Sequence, residues 1–187
     1  DESRDSFVMP EFVSTMIEKN LLGKKSQSGF YKTDLTPDWQ KVRKVIDPAT
    51  LEYSEYDAPG FPCLDAAKKA KTLPEKMQAV VYGDDPGAQY AWKTVASNLI
   101  YAANRIPEIS DTIVEIDNAM KWGYNFEMGP FEAWDTLGFR QVTERLRDDG
   151  RPLPAWVDAL YDSGAEHIYR TEDGILSTGI LSAPRVG

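Results

Sequence analysis

Apolar side chains recur every three to four residues along most of the chain, the spacing that predicts amphipathic helices. Near the start, Val13, Met16 and Ile17 share one face of a predicted helix over residues 10–20, and Pro10 suits its first turn. Beyond residue 60 the same spacing predicts seven further helices. They cover about residues 64–71, 72–83, 86–107, 111–122, 130–137, 139–148 and 154–162.

Two short segments follow a different pattern. Residues 41–56 place apolar side chains on either side of a turn at residues 47–50, which predicts a β-hairpin. The tail from Ile168 to Leu176 is predicted to form a small hairpin that turns at Asp173-Gly174. Residues 58–62 are rich in proline and glycine and mark a boundary. The predicted fold class is therefore all-α, mostly helical, with short β-hairpins.

Helix ends are marked by capping residues and glycines. Thr72 and Glu75 have the spacing of a capping box, so we expect a helix to begin there. Ser110 or Asp111 is predicted to cap the helix over 111–122, and Gly123 is predicted to end it.

The negative net charge argues against two classes of binding partner. The chain carries 21 Lys and Arg against 30 Asp and Glu, a net charge of -9, so nucleic acid or an anionic membrane would be repelled. No apolar run approaches the roughly 20 residues that cross a bilayer. A lone Cys63, interpreted as a small core residue, permits no intramolecular disulfide and favours a cytoplasmic protein. Because the chain opens on Asp1 rather than Met, we expect a piece of a longer protein.

Residues that carry catalysis in common enzyme motifs are sparse. The chain has no Gly-x-Gly, so it contains neither a dinucleotide fingerprint nor a P-loop. His167 is the only histidine, so a metal site built on several histidines is excluded. It is interpreted as a surface residue. The acidic pairs at 84–85 and 148–149 are interpreted as helix-flanking caps. The sequence predicts no catalytic residue and no metal ligand.

An internal repeat relates the first predicted helix to the last. Residues 10–20 resemble residues 154–164 in their proline, aromatic and valine positions, at an offset of 144. Residues 30–33 resemble residues 168–171 at an offset of 138, so the second copy lacks six residues from the loop around residues 22–26. A packing element is needed in both copies, whereas a loop that contacts a ligand is needed only in one. Chance similarity between short segments is the alternative.

Two segments resemble the C-terminal domain of 3-hydroxyacyl-CoA dehydrogenases. Residues 22–31 read LGKKSQSGFY, similar to the family's L-G-x-K-[ST]-G-x-G-F-Y. Residues 116–123 and 129–135 read IDNAMKWG and GPFEAWD, similar to I-D-x-A-M-x-x-G and G-P-F-E-x-x-D. The resemblance extends over about residues 7–56 and 60–170 and is closest to multidomain bacterial and archaeal forms. One departure is Gln27, where the family has a glycine that permits positive φ.

The resemblance implies both a fold and a function. It implies a helical domain like the C-terminal domain of 6-phosphogluconate dehydrogenase, with residues 1–58 as the tail of a first unit and residues 59–187 as a second. The implied parent oxidises 3-hydroxyacyl-CoA with NAD in fatty-acid β-oxidation. NAD would be held mainly by a Rossmann domain absent from this chain, together with a catalytic His-Glu pair. An enoyl-CoA hydratase domain is often fused, and a homodimer is one expected assembly.

Lys25 is the one residue to which the resemblance assigns a cofactor contact. The second lysine of this loop contacts NAD in the family, and an ammonium suits an anionic cofactor. Gly129, Pro130 and Phe131 are interpreted as packing residues, while the apolar residues at 122, 126 and 128 are expected to form an exposed patch. The alternative to a cofactor contact is that Lys25 is an ordinary solvated lysine.

Three hypotheses about the function remain open at this point. The first is a dehydrogenase fragment that shapes the acyl-CoA cleft and mediates subunit contacts, and that is inactive alone. The second is a free-standing helical interaction or dimerisation module without catalysis. The third, a small acyl-CoA-binding protein, is disfavoured by the acidic balance and by the lack of a basic cluster beyond Lys24 and Lys25.

Overall fold

A computed structural model describes residues 4–172 and 175–178 of the chain. The chain divides into two compact units, Asp1–Pro59 and Gly60–Gly187, called unit 1 and unit 2. The predicted Asp173-Gly174 turn lies outside the described residues. Assigning the units as two copies of one family domain stays a prediction.

Unit 1 combines one α-helix with a small antiparallel sheet. Its α-helix and strands are α1 Glu11–Glu18, β1 Tyr31–Leu35, β2 Lys41–Ile46 and β3 Tyr53–Glu55. The strand order is β1-β2-β3, with Tyr31 opposite Val45 and Val45 opposite Ser54. The predicted turn is present, since the Asp47 carboxylate accepts the N–H groups of Ala49 and Thr50 at 2.7 and 3.2 Å.

The hairpin predicted over residues 41–56 is therefore only part of a larger sheet. The sequence predicts only an extended segment at Phe30 and Tyr31, because the polar residues Lys32, Thr33 and Asp34 conceal the apolar alternation of the rest of β1. The strand is stabilised by pairing with β2. One lysine from each of the two strands contacts the same carboxylate of β1. The Asp34 carboxylate lies 3.2 Å from the Lys32 ammonium and 2.9 Å from that of Lys44.

Unit 2 is helical apart from a terminal hairpin. Its α-helices are α2 Pro62–Lys69, α3 Leu73–Val81, α4 Pro86–Asn104, α5 Ile113–Tyr124, α6 Pro130–Leu137, α7 Phe139–Asp148 and α8 Ala155–Asp162. Its strands are β4 Tyr169–Glu172 and β5 Ile175–Thr178, which pair antiparallel. The prediction of a mostly helical fold with short hairpins is confirmed.

Helix caps explain several of these boundaries, with two corrections on α5. The predicted box at Thr72 caps α3, and Asp85 caps α4. Helix α5 is capped by Thr112 rather than by Ser110 or Asp111. The Thr112 hydroxyl accepts the N–H of Glu115, in the first turn of the helix, at 3.4 Å. Gly123 lies inside the helix, which ends at Asn125 in a left-handed conformation.

The core of unit 2 lies where α4 to α8 meet. Its largest fully buried side chains include Trp134, Phe131, Phe139 and Leu99. Burial of side chains of this size contributes about 1.5–3 kcal/mol each, so these residues dominate the packing energy of the unit. In the described part of the chain, no helix is both long enough and apolar enough to span a bilayer.

Candidate functional site

The loop between α1 and β1 carries the candidate cofactor contact, Lys25. The loop closes on itself, since the Gly23 N–H donates to the Ser28 carbonyl at 2.8 Å. Lys24–Ser26 forms a single 3-10 turn between these two residues. Gly23 has a φ of 115°, a conformation that residues with a side chain rarely adopt.

Ser26 holds the loop from inside. Its hydroxyl oxygen accepts the Leu22 N–H at 3.0 Å, and it lies 3.1 and 3.0 Å from the carbonyls of Gly23 and Ser28. Gly29 is also required, because a Cβ there would lie 2.6 Å from the Gly23 Cα. The backbone that carries Lys25 is therefore well defined.

Both lysines of the loop are exposed. Neither Lys24 nor Lys25 forms an ion pair with any residue that the structure describes. Their ammonium groups are therefore available to an anion, and no competing carboxylate would have to be displaced first.

Gln27 lies in the left-handed region of backbone conformation. Gln27 has a φ of 67° and a ψ of -13°, the left-handed conformation that the family's glycine would adopt freely. A residue with a Cβ pays roughly 1–2 kcal/mol for this conformation. The loop therefore contains a left-handed residue with a side chain, and this lowers its stability.

In unit 2 the other family-like motif surrounds a buried carboxylate, Asp117. It is 1% exposed and accepts the N–H groups of Phe131 and Glu132, both at 2.9 Å, and the Tyr169 hydroxyl at 2.8 Å. Burial raises the pKa of Asp117 in spite of these three donors. Because the first N–H groups of a helix have no partner within it, Asp117 of α5 caps α6 from outside.

The glycine of this motif makes room for that carboxylate. A Cβ on Gly129 would lie 2.4 Å from the Asp117 side chain. The Gly129 N–H donates to Glu132 at 2.9 Å, and the other oxygen of Glu132 lies 2.5 Å from the Lys121 ammonium. The motif thus joins the end of α5 to the start of α6.

The last residue of the motif, Asp135, binds the start of β4. It accepts the N–H groups of Ile168 at 2.7 Å and Tyr169 at 2.9 Å, and burial raises its pKa. Burial, followed by the bond to Asp117, also raises the pKa of the Tyr169 phenol. Phe131 is fully buried in the core. The packing role predicted for this motif is confirmed, and its polar residues form one structural network.

Sequence reasoning missed the network that Asp117 and Asp135 form with Tyr169. A signal was present in the helical spacing. Asp117 lies four residues after Ile113 and three before Met120, on the inward face of α5. A carboxylate in that position must find donors when the face is buried.

Comparison with known proteins agrees with the motifs. The chain is 39% identical over 173 residues to a "Probable 3-hydroxyacyl-CoA dehydrogenase" of Bacillus subtilis (strain 168), covering 92% of this chain and 21% of that protein. The chain is therefore homologous to about a fifth of this relative. The resemblance predicted from the motifs is thereby confirmed.

Two further relatives of the chain are each named "Putative fatty acid oxidation complex trifunctional enzyme". The Rickettsia felis protein is 28% identical over 81% of the chain, and the Rickettsia prowazekii protein is 29% identical over 76%. These matches cover 20% and 18% of the two relatives, so the chain spans about a fifth of the proteins it matches. No family model matches the chain, and no solved structure matches it.

The remaining candidate residues of the chain have ordinary environments. His167 is exposed, and Cys63 is 3% exposed, as predicted for each. Burial raises the pKa of the Cys63 thiol, and the Asp85 carboxylate 3.3 Å from its Sγ acts in the same direction. A raised thiol pKa disfavours the nucleophilic thiolate. Over the described ranges, no three His, Cys, Asp or Glu side chains are grouped to hold a metal ion.

The predicted apolar patch is present only in part. Trp122 is 81% exposed and Phe126 is 47% exposed. Met128 is half-buried and lines, with Phe126, Leu73 and Val95, a groove of ≈ 450 Å³. This part of unit 2 therefore presents exposed aromatic side chains beside an apolar groove, rather than one continuous patch.

Proposed function

We propose that this chain is a helical part of an NAD-dependent 3-hydroxyacyl-CoA dehydrogenase of fatty-acid β-oxidation. The reaction of the parent is 3-hydroxyacyl-CoA plus NAD to 3-oxoacyl-CoA plus NADH, in the cytoplasm. The chain helps to shape the acyl-CoA cleft and mediates contacts between subunits or domains. A Rossmann domain of the parent carries the catalytic pair, and a hydratase domain is fused to it. The observation that carries this proposal is the 39% identity over 92% of the chain.

Within this proposal, Lys25 contacts NAD. When bound, NAD supplies the hydride acceptor for oxidation of the 3-hydroxyl carbon. An exposed ammonium on a loop held by Ser26 fits an anionic cofactor. Neither a Gly-x-Gly motif nor a large basic cluster accompanies Lys25, so its role is a single charge-assisted contact rather than the main cofactor site.

The test is Lys25→Ala in the full-length parent enzyme. Removal of one charge-assisted contact should cost about 1–3 kcal/mol, which raises the KM for NAD roughly tenfold to a hundredfold. The KM for acyl-CoA should change much less. Because Lys25 is exposed, the melting temperature should stay the same.

Lys24→Ala is the matched control, since it removes an equal charge from the neighbouring exposed position. It should leave the KM for NAD within about twofold, a difference of roughly 0.4 kcal/mol. Equal effects of the two substitutions would indicate general electrostatic attraction and reject a specific contact. An unchanged KM for NAD in both variants would reject any cofactor role for the loop.

A second candidate function is an interaction module without catalysis. The exposed side chains of Trp122 and Phe126 favour it, because large exposed aromatic groups are typical of binding surfaces. The two candidates differ in the parent protein. NADH production from 3-hydroxyacyl-CoA by the full-length parent would support the dehydrogenase and exclude this second candidate.

A further inference from the structure

A pocket in unit 2 lies between the first half of α4 and the end of α7. It has a volume of ≈ 400 Å³ and is lined by Gln89, Trp92, Lys93, Arg145, Asp149 and Arg151. Three of these side chains are cationic and one is anionic, so two positive charges are in excess. Because the whole chain has a net charge of -9, the sign of the charge is reversed locally.

The fold assembles this basic cluster from residues that are distant in sequence. Lys93 lies on α4, Arg145 lies on α7, and Arg151 follows α7. No run of basic residues marks them, so the sequence alone showed only the pair Lys24 and Lys25 in unit 1. Unit 2 therefore contains a basic cluster of its own.

The three cations of the pocket have no carboxylate partner among the described residues. Elsewhere in the same unit, the Arg147 guanidinium lies 2.6 Å from the Asp158 carboxylate. The one acid in the lining, Asp149, instead accepts the Trp92 indole N–H at 2.6 Å. The positive charge of the pocket is thus not neutralised by the part of the chain that the structure describes.

Both guanidinium groups of the pocket are held in place by the protein. The Arg145 guanidinium carbon lies 4.1 Å from the centre of the Trp92 ring, and its Nη1 donates to the Val81 carbonyl at 3.0 Å. The Arg151 Nη1 donates to the Ser97 hydroxyl at 3.0 Å. Since an arginine has five N–H donors in a planar fork, each keeps donors that these bonds do not use. Donors that are already positioned lower the entropic cost of binding an anion.

A phosphate monoester suits this lining better than a carboxylate does. It carries about -1.5 to -2 charges at neutral pH and three acceptor oxygens, which matches two excess positive charges. A carboxylate carries one charge and two oxygens. The volume of ≈ 400 Å³ lies in the range of small-molecule pockets, about 300–1,000 Å³. The pocket can therefore hold a phosphate group together with part of the molecule that bears it.

We propose that this pocket, the cationic pocket, binds the phosphate group of a small phosphorylated metabolite. Arg145 and Arg151 donate hydrogen bonds to the phosphate oxygens, and the exposed Lys93 adds a third positive charge. Asp149 keeps Trp92, on which Arg145 packs, in position. The proposal goes beyond the proposed function and does not depend on it, because it rests on side chains of unit 2 alone.

Binding is tested by titrating inorganic phosphate and adenosine monophosphate, a phosphate monoester, into the 187-residue chain at constant ionic strength. The indole N–H signal of Trp92 is followed by NMR, since this group bonds to Asp149 in the pocket. Adenosine monophosphate should shift the signal with a Kd of about 1 mM or lower, and adenosine, which lacks the phosphate, should not. An equal shift with adenosine would overturn the proposal.

The remaining outcomes of this titration identify other ligands. A shift with inorganic phosphate but not with adenosine monophosphate would assign the pocket to the free ion and reject a metabolite ester. A short peptide of glutamates is titrated in the same way. A shift with that peptide, and none with either phosphate compound up to about 10 mM, would assign the pocket to an acidic protein segment and overturn the proposal.

Two substitutions of lysine locate the binding site. Lys93→Gln should weaken the binding of adenosine monophosphate about tenfold, because it removes one of three positive charges. Lys76→Gln is the matched control, since it removes an equal charge from an exposed position of α3 outside the pocket. It should change the affinity less than about twofold. Equal weakening by both substitutions would indicate general electrostatic attraction and overturn a specific site.

Asp149→Asn provides a test with the opposite sign. It removes the one negative charge of the lining, while the amide oxygen can still accept the Trp92 N–H. Adenosine monophosphate should then bind about three- to tenfold more tightly. Damage to the fold would not strengthen binding, so tighter binding would support the charge match. An unchanged or weaker affinity would contradict it.

Discussion

The helices at residues 11–18 and 155–162 share a backbone conformation at both ends and each leads to a strand, yet only the second helix and strand lie in the core of unit 2. Ile168 is fully buried, whereas the equivalent Phe30 is half exposed. The Ile168 N–H has a carboxylate acceptor in Asp135. The difference shows that local sequence specifies the element, while the elements packed against it specify its burial and its polar partners.

The copies also differ in the loop between helix and strand. In unit 1 this loop contains the Lys24–Ser26 turn and the left-handed Gln27. The second copy passes in four residues from Gly164 to Tyr169, and the Arg140 guanidinium donates to the Ala165 carbonyl there at 3.4 Å. Only unit 1 therefore has an exposed lysine turn, which fits a ligand-contacting role for that loop.

The largest expected contrast between the copies is in side-chain truncation. Ile168→Ala should reduce the free energy of unfolding of unit 2 by about 2–5 kcal/mol, because it leaves a cavity in a full core. Phe30→Ala should cost unit 1 less than about 1 kcal/mol, because little buried surface is lost. Urea unfolding followed by tryptophan fluorescence measures unit 2, and amide exchange of β2 measures unit 1. Equal losses would refute the difference in burial.

The buried network of unit 2 gives the next largest effect. Gly129→Ala should cost about 1–3 kcal/mol, since the new methyl group would collide with the Asp117 side chain. Gly123→Ala is the matched control, because nothing lies within 4 Å of its Cβ position and it lies inside α5. That substitution should instead stabilise the unit by about 0.5–1 kcal/mol. If both variants unfold at the same urea concentration, the close approach at Gly129 is not important.

The loop of unit 1 offers a smaller and opposite change. Gln27→Gly should stabilise the loop by about 0.5–1 kcal/mol, because glycine adopts a positive φ without the steric penalty. The exchange rate of the Gly23 amide, whose bond to Ser28 closes the loop, measures this directly. Asn20→Gly provides the comparison and should change less, because asparagine tolerates the left-handed region. Faster exchange of Gly23 in Gln27→Gly would contradict the prediction.

The smallest expected effect is on pH dependence. Burial raises the pKa of Asp117, so its contribution to stability is fully present below the unfolded pKa of roughly 3.9 and is lost as pH rises through the higher folded pKa. The free energy of unfolding of wild type minus that of Asp117→Asn should therefore fall as the pH rises from about 4 towards neutrality. Urea unfolding of both proteins at several pH values measures this difference. A difference that grows with pH would mean that the three donors outweigh burial.

Much of the fold was predictable because it rests on neighbours in sequence. Helical spacing identified the helices of both units, and the Thr72 and Glu75 box marked the start of α3. Only the extended start of β1 was predicted, because the stability of the strand comes from pairing with β2 rather than from its own polar sequence.

The sequence by itself therefore determined the local elements: the helices, their periodic faces, and the caps of α3 and α4. Only the tertiary structure decided the partners of those elements. Asp117 and Asp135 accept hydrogen bonds from residues 52 and 33 positions away, and no local pattern encodes such separations. The exposure of Phe30 was decided in the same way, because burial depends on which elements pack against a face and not on the residues within it.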